Sequence, residues 1–154
     1  MKSWLAAPLL VGLLLGSAAV PAQAQYRSHI GFHGGYNFDL EDGLIGAQFH
    51  LPLGRQLEFY PSFDYYFSDP GSLVGFNIDL KLRYPSRDLE LYLGGGLNIL
   101  RASGGGVSNT DTGGNVFAGL ETRVGVAHPY FEVRGLLHGG SSVQLNAGIN
   151  FTLY

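Results

Sequence analysis

The stretch VGFNIDLKLRY, Val74 to Tyr84, followed after PSRD by LELYLGGGLNI, Leu89 to Ile99, decides the fold. Val74, Phe76, Ile78, Leu80, Leu82 and Tyr84 fall on one side of an extended chain. Gly75, Asn77, Asp79, Lys81 and Arg83 fall on the other. Successive strand side chains point to opposite faces, so a period of two is a strand signal. Pro85 and Asp88 mark a tight reversal between the two runs. The second run repeats the pattern with Leu89, Leu91, Leu93, Gly95, Leu97 and Ile99 in the apolar phase.

The same alternation continues in both directions. Further segments lie over 30–38, 45–53, 57–67, 114–124, 129–137 and 143–153, which makes eight in all. Their apolar phase carries no charged residue. The opposite phase carries Arg27, Glu58, Asp64, Asp79, Lys81, Arg83, Glu90, Glu121, Arg123, Glu132 and Arg134. None of the segments has helical spacing, and their glycines and β-branched residues disfavour helix. The 24 glycines of the 154-residue chain follow no Gly-X-Y period, which excludes collagen. A hydrophobic content of 45% argues against disorder. A net charge of −3 leaves no basic patch for nucleic acid. The absence of cysteine excludes a disulfide framework, a cysteine zinc site and a lipidated cysteine.

Alternation does not say which face points inward; four features favour a membrane barrel over a soluble one. The segments match the roughly 9–11 residues that a tilted strand needs to cross a bilayer. The apolar phase has no polar lapse except Thr122, and a charge at the bilayer midplane costs about 2–4 kcal/mol. Tight joints at 54–56, 85–88 and 125–127 alternate with joints at 39–43, 68–72, 101–113 and 139–141, of which 101–113 is the longest. Outer-membrane barrels have short periplasmic turns and longer outer loops. Lastly, Tyr36, Phe38, Tyr65, Phe67 and Phe76 gather toward one rim, and Phe32, Phe59, Tyr84, Phe131 and Phe151 toward the other. Amphipathic rings favour the headgroup level.

Ahead of the first segment, Lys2, the apolar run Trp4 to Leu15 and Ala22-Gln23-Ala24 have the order of a secretory signal peptide. The sequence is therefore read as an all-β, eight-stranded antiparallel up-and-down transmembrane β-barrel over 25–154, preceded by a cleavable signal peptide over 1–24.

With LYLGGGL at 91–97, AGLE at 118–121, YFEVR at 130–134 and LNAG at 145–148, the chain resembles the small eight-stranded outer-membrane barrels of the OmpX, OmpA membrane-domain and opacity types. The resemblance implies a bacterial outer-membrane location, contact with outer-membrane lipid and lipopolysaccharide, and insertion by the barrel-assembly machinery. It implies no single activity and no oligomeric state. Such barrels usually end on an aromatic residue in the lipid-facing phase; here that phase ends on Phe151 and Leu153, and Tyr154 falls out of it.

An eight-stranded barrel has an interior just wide enough to be filled by side chains, so a plugged lumen is expected. Pairing Phe67 with Val74 places Glu58 opposite Arg83, and pairing Tyr84 with Leu89 places Arg83 opposite Glu90. Arg83 is then held between two carboxylates. Glu121, Arg123, Glu132 and Arg134 alternate in sign across the sixth and seventh segments. These seven form the expected structural cluster of the lumen, in its periplasmic half. Inward glycines (Gly35, Gly46, Gly75, Gly94, Gly96, Gly119) leave either a shallow cup open to the outside or room for tyrosines to lean across.

No catalytic residue, cofactor or metal is expected. His29 and His33 share a face but lie roughly 13 Å apart along a strand, too far for one ion. His50, His128 and His138 sit on other segments. His138-Gly139-Gly140-Ser141-Ser142 departs from the His-x-Ser-Asn phrase of lipid-A-deacylating barrels, and its glycines mark a hairpin turn. The expected function is a non-enzymatic structural or surface-interaction barrel. The competing readings are a lipid-A-modifying enzyme and a soluble periplasmic barrel that binds an apolar ligand. The outer joints, with Asp39, Glu41, Asp42, Asp69, Arg101 and Asp111, are acidic, and the stretch 102–114 is expected to be a mobile loop.

Overall fold

The computed structural model describes residues 27–154; the expected leader over 1–24 lies outside them. Eight strands follow in chain order: β1 (His29–Asn37), β2 (Asp42–Pro52), β3 (Leu57–Tyr66), β4 (Ser72–Pro85), β5 (Leu89–Gly104), β6 (Val107–Thr122), β7 (Ala127–Leu137) and β8 (Ser141–Thr152). Each pairs antiparallel with its sequence neighbours, and β1 pairs with β8 to close the barrel. The closing ladder runs from His29↔Thr152 to Asn37↔Gln144. From Val116 the register leads one way through Gly135 and Val143 to Phe38, past the outer end of β1. The other way, through Gly95, Leu80, Phe59 and Leu51, it returns below the inner end of β1. That stagger of about ten residues is what tilts the strands against the barrel axis.

The alternation resolves into an outside and an inside. Phe32 is 55% exposed, Leu80 49% and Leu97 55%, while Arg134 is 2% and Glu90 1% exposed. Outward aromatics pair edge to face, Tyr36 with Phe38 at 5.3 Å and Tyr65 with Phe67 at 5.8 Å between ring centroids. A soluble protein rarely exposes a continuous apolar belt. Hydrocarbon is the solvent that suits it, and a closed ladder leaves no backbone edge within that belt. No described helix is long and apolar enough to cross a membrane; the strands do the crossing. Pro61 interrupts the β2–β3 ladder, which resumes at Leu51↔Phe59 after Gln48↔Ser62.

Two sequence expectations are corrected here. The stretch 102–114 is not a loop. β5 and β6 continue as a paired ribbon to Gly104↔Val107, and only Gly105 and Gly106 turn. Both have positive φ (58° and 82°), the backbone of a two-residue hairpin. The ribbon is wet on both faces, so it carries no apolar alternation to reveal it. The register is also shifted. Glu58 lies opposite Lys81, Arg83 opposite Tyr92, and Glu90 opposite Pro85. Each hairpin is offset by two residues from the expected pairing, because turn length cannot be read from the alternation.

Tyr154 lies beyond the end of β8, 88% exposed, with the Arg27 guanidinium 4.7 Å from its ring centroid. Phe151 and Leu153 face outward, in the phase that the alternation assigns.

Leu80→Arg places a charge in the apolar belt and is expected to cost about 2–4 kcal/mol. Urea unfolding in lipid vesicles, with the heat-modifiable gel shift as the fold readout, measures it. Equal stability of Leu80→Arg and the unsubstituted protein would mean that the faces are inverted.

Candidate functional site

The inward phase of every strand meets in the lumen, where the seven expected residues fall into two groups. Near the inner mouth, β3 contributes Glu58, β4 contributes Lys81 and Arg83, β5 contributes Glu90, and β6 contributes Glu121. Arg83 reaches Glu90 with two nitrogens, Nε to Oε1 at 2.5 Å and Nη2 to Oε2 at 2.6 Å, and Glu58 with Nη1 at 2.6 Å. Arg83 thus does sit between two carboxylates, although neither stands directly opposite it. Diagonal neighbours on a sheet lie within reach of a long side chain, and the planar fork serves both acids. Glu90 and Glu121 are direct cross-strand partners of like charge. Glu90 is drawn to Arg83, and Glu121 to Lys81 at 3.0 Å. Arg123 is half exposed at the rim and lies 3.6 Å from Glu90.

The second group lies farther from the mouth. The Nη1 of Arg134 donates to Asp79 at 2.7 Å and its Nε to Glu132 at 3.0 Å. Its guanidinium carbon lies 4.6 Å from the Phe117 ring centroid. The second oxygen of Glu132 accepts from the hydroxyls of Tyr60 at 3.3 Å and Tyr92 at 3.1 Å. Asp79 also accepts from Asn115 at 2.8 Å. The expected sign alternation between β6 and β7 does not occur as pairing: Glu121 and Arg123 bond toward β4 and β5, and Arg134 bonds to Glu132 on its own strand and to Asp79 on β4.

Asp64, Asp79 and Lys81 belong to the expected inward face but not to the expected cluster, and the sequence assigns His33 and His50 no partner. The structure brings all five into the network. His33 bonds Asp64 at 2.7 Å and Gln48 at 2.5 Å through its two ring nitrogens. His50 meets Glu58 at 3.2 Å. Lys81 lies 3.9 Å from the Tyr92 ring centroid. Alternation identifies the face; only the register identifies the partner.

The outer half holds no cup. Leu44, Tyr66 and Leu136 are buried there, and the Tyr66 hydroxyl donates to Gln144 at 2.8 Å. Several inward glycines are floors over which rings lean, while Gly35 and Gly96 lie against Asn146 and Asp79. A Cβ at Gly94 would strike Phe117, one at Gly119 would strike Tyr92, and one at Gly148 would strike Tyr130. Of the two readings of those glycines, the structure takes the second. A cavity of about 280 Å³ opens instead at the inner mouth, between Arg27, Arg55, Arg83, Arg123, His29 and His128.

Among the described residues, no group of three His, Cys, Asp or Glu side chains is arranged to hold a metal ion. No hydrogen bond joins His138 to a serine; Ser142 Oγ accepts from Asn37 at 3.2 Å, and the His138 Nε2 is enclosed without a partner.

No family model and no curated protein sequence matches the chain. Solved structures do. The N-terminal β-barrel domain of Pseudomonas aeruginosa OprF is 17% identical, with a TM-score of 0.71 over 82% of this chain and 96% of that one. Ail, the attachment invasion locus protein of Yersinia pestis, is 13% identical, with a TM-score of 0.60 over 82% and 95%. The outer membrane enzyme PagL is 11% identical, with a TM-score of 0.53 over 82% and 99%. The chain has the eight-stranded fold of bacterial outer-membrane barrels. That fold carries proteins with and without catalytic activity, so the activity has to be argued from the lumen and the rims.

Arg134→Met leaves Asp79 and Glu132 buried without their cation and is expected to destabilise the barrel by about 3–5 kcal/mol. The triple variant with Asp79→Asn and Glu132→Gln removes the whole charge set and is expected to recover most of that loss. Vesicle-based urea unfolding of the three proteins tests both statements.

Proposed function

We propose that this chain is a non-enzymatic outer-membrane barrel with a plugged polar lumen, acting as a structural or surface-interaction protein of the bacterial envelope. In this reading the barrel domain spans 25–154 after removal of residues 1–24, and the barrel-assembly machinery inserts it. One observation carries the proposal: Arg134, 2% exposed, is bound to Asp79 and Glu132 deep in the lumen, against the Tyr60 and Phe117 rings. The seven-residue cluster serves as a structural plug in which each carboxylate is met by a cation or by hydrogen-bond donors.

The competing readings fit less well. A barrel that carries an apolar ligand needs an apolar lumen, and this one is ionic. A deacylating enzyme needs a nucleophile next to its base, and Ser142 Oγ is engaged by Asn37 instead. Ail has been crystallised with the heparin analogue sucrose octasulfate. A polyanion of that kind does not suit the outer face here, where Asp39, Glu41, Asp42, Asp69 and Asp111 stand against Arg101 alone. Lipopolysaccharide phosphates bridged by divalent cations suit it better.

Three measurements test this. Membrane fractionation is expected to place the protein in the detergent-extracted outer-membrane fraction; release without detergent would defeat the membrane reading. Planar bilayers containing the purified protein are expected to show no stable open-channel conductance. Lipid A from expressing cells is expected to keep its mass. A loss of one acyl chain that His138→Ala abolishes would establish the enzyme instead.

A further inference from the structure

The two ends of the barrel differ in charge. Each inner connection carries an arginine: Arg27 ahead of β1, Arg55 between β2 and β3, Arg87 between β4 and β5, and Arg123 after β6. Three of these four, Arg27, Arg55 and Arg123, surround the inner-mouth cavity, with Arg83, Glu90 and Glu121 on its wall and the rings of His29 and His128 beside them. The glutamates at this level are already answered, and Asp88, next to Arg87 on the β4–β5 connection, does not line the cavity. Glu58, Glu90 and Glu121 are contacted by Lys81, Arg83 and Arg123, three negative charges against three positive ones. Arg27 and Arg55 remain. Among the described residues, neither has a carboxylate within 4.0 Å. The cavity is thus left with two guanidinium groups without an ion-pair partner, Arg27 having only the face of the Tyr154 ring against it.

The geometry points to an anion site at the inner mouth that takes a phosphate group, held by Arg27 and Arg55 with Arg123 beside them. Three observations set the class of ligand. The surplus charge matches one dianion or two monoanions. The arginines reach the cavity from three separate connections; such a converging set suits a tetrahedral group that offers oxygens in several directions, whereas a planar carboxylate is satisfied by one fork. The volume of about 280 Å³ falls just below the roughly 300–1,000 Å³ of pockets for drug-sized ligands. It has room for a phosphate with a short alcohol such as glycerol. The mouth lies just beyond the inner end of the apolar belt, at headgroup level, so a phosphate reaches it either as a soluble ion or ester or as the headgroup of a phospholipid in the periplasmic leaflet.

The test uses the purified full barrel and the double variant Arg27→Gln/Arg55→Gln. Both positions lie outside the strand ladders, and the heat-modifiable gel shift confirms folding. Inorganic phosphate, glycerol 3-phosphate and acetate are titrated against the protein in nonionic detergent, with amide and histidine-ring NMR shifts as the readout. In parallel, native mass spectrometry compares retention of phosphatidylglycerol with that of phosphatidylcholine. Expected are saturable shifts confined to residues around the inner mouth, with binding weakened about tenfold or more in the double variant, the scale of a lost charge-assisted hydrogen bond. The control Arg87→Gln, away from the cavity lining, keeps binding. Saturation by the soluble phosphates without lipid retention assigns the soluble source. Preferential retention of phosphatidylglycerol, lost in the double variant, assigns the headgroup. Acetate binding as tightly as phosphate, unchanged affinity in the double variant, or no saturable response to any phosphate probe overturns the proposal.

Discussion

The pairing of β1 with β8 is the interaction on which everything else depends. An open sheet would present a row of unpaired backbone groups to hydrocarbon, at several kcal/mol for each unsatisfied group. Closure removes that edge, and it also creates an enclosed interior. Every inward side chain must then find its partner across a space only wide enough for side chains. The ionic lumen is thus a consequence of the greasy exterior. Charges that the belt cannot tolerate are gathered inside, where each has to be met.

How they are met explains the composition. Tyr92, Phe117 and Tyr130 are large, and an eight-stranded barrel fits them only where neighbouring positions are empty. Glycines at 94, 119 and 148 are those positions, each with a ring from another strand lying over it. A high glycine content, unfavourable in an ordinary strand, here makes room for aromatic rings. The same economy appears in the acids. Glu90 and Glu121 face each other across the β5–β6 ladder, an arrangement that would repel if each did not turn to a different cation.

The ends of the barrel are built differently. The outer end is closed by leucine and tyrosine side chains under short, acidic connections, with the β5–β6 ribbon extending beyond the other hairpins. The inner end is open and basic, with an arginine on every connection. The ionic network of the lumen is therefore not symmetric about the membrane plane. Solvent reaches the ionic network from the inner side, where Arg83 and Arg123 are partly exposed while Glu90 behind them is not.

The amino-acid sequence alone determined the number of strands, the side of each residue and the direction of the faces. Leu80 and Arg83 could not both be placed on the same wall, and hydrocarbon accepts only one of them. Alternation is local, so one strand's residues suffice to read it. Partnership is not local. The sequence reading put Glu58 opposite Arg83, treated 102–114 as a loop, and left His33 and Asp64 unlinked. Register depends on turn geometry, and a shift of two residues keeps every side chain on its face while changing its neighbour. Tertiary structure alone decided which cation meets which acid, that Gly94, Gly119 and Gly148 are covered by rings, and that a cavity opens between the arginines of the inner mouth. Those outcomes arise from closing the cylinder, which brings together residues such as Asp79 and Arg134 that no local pattern connects.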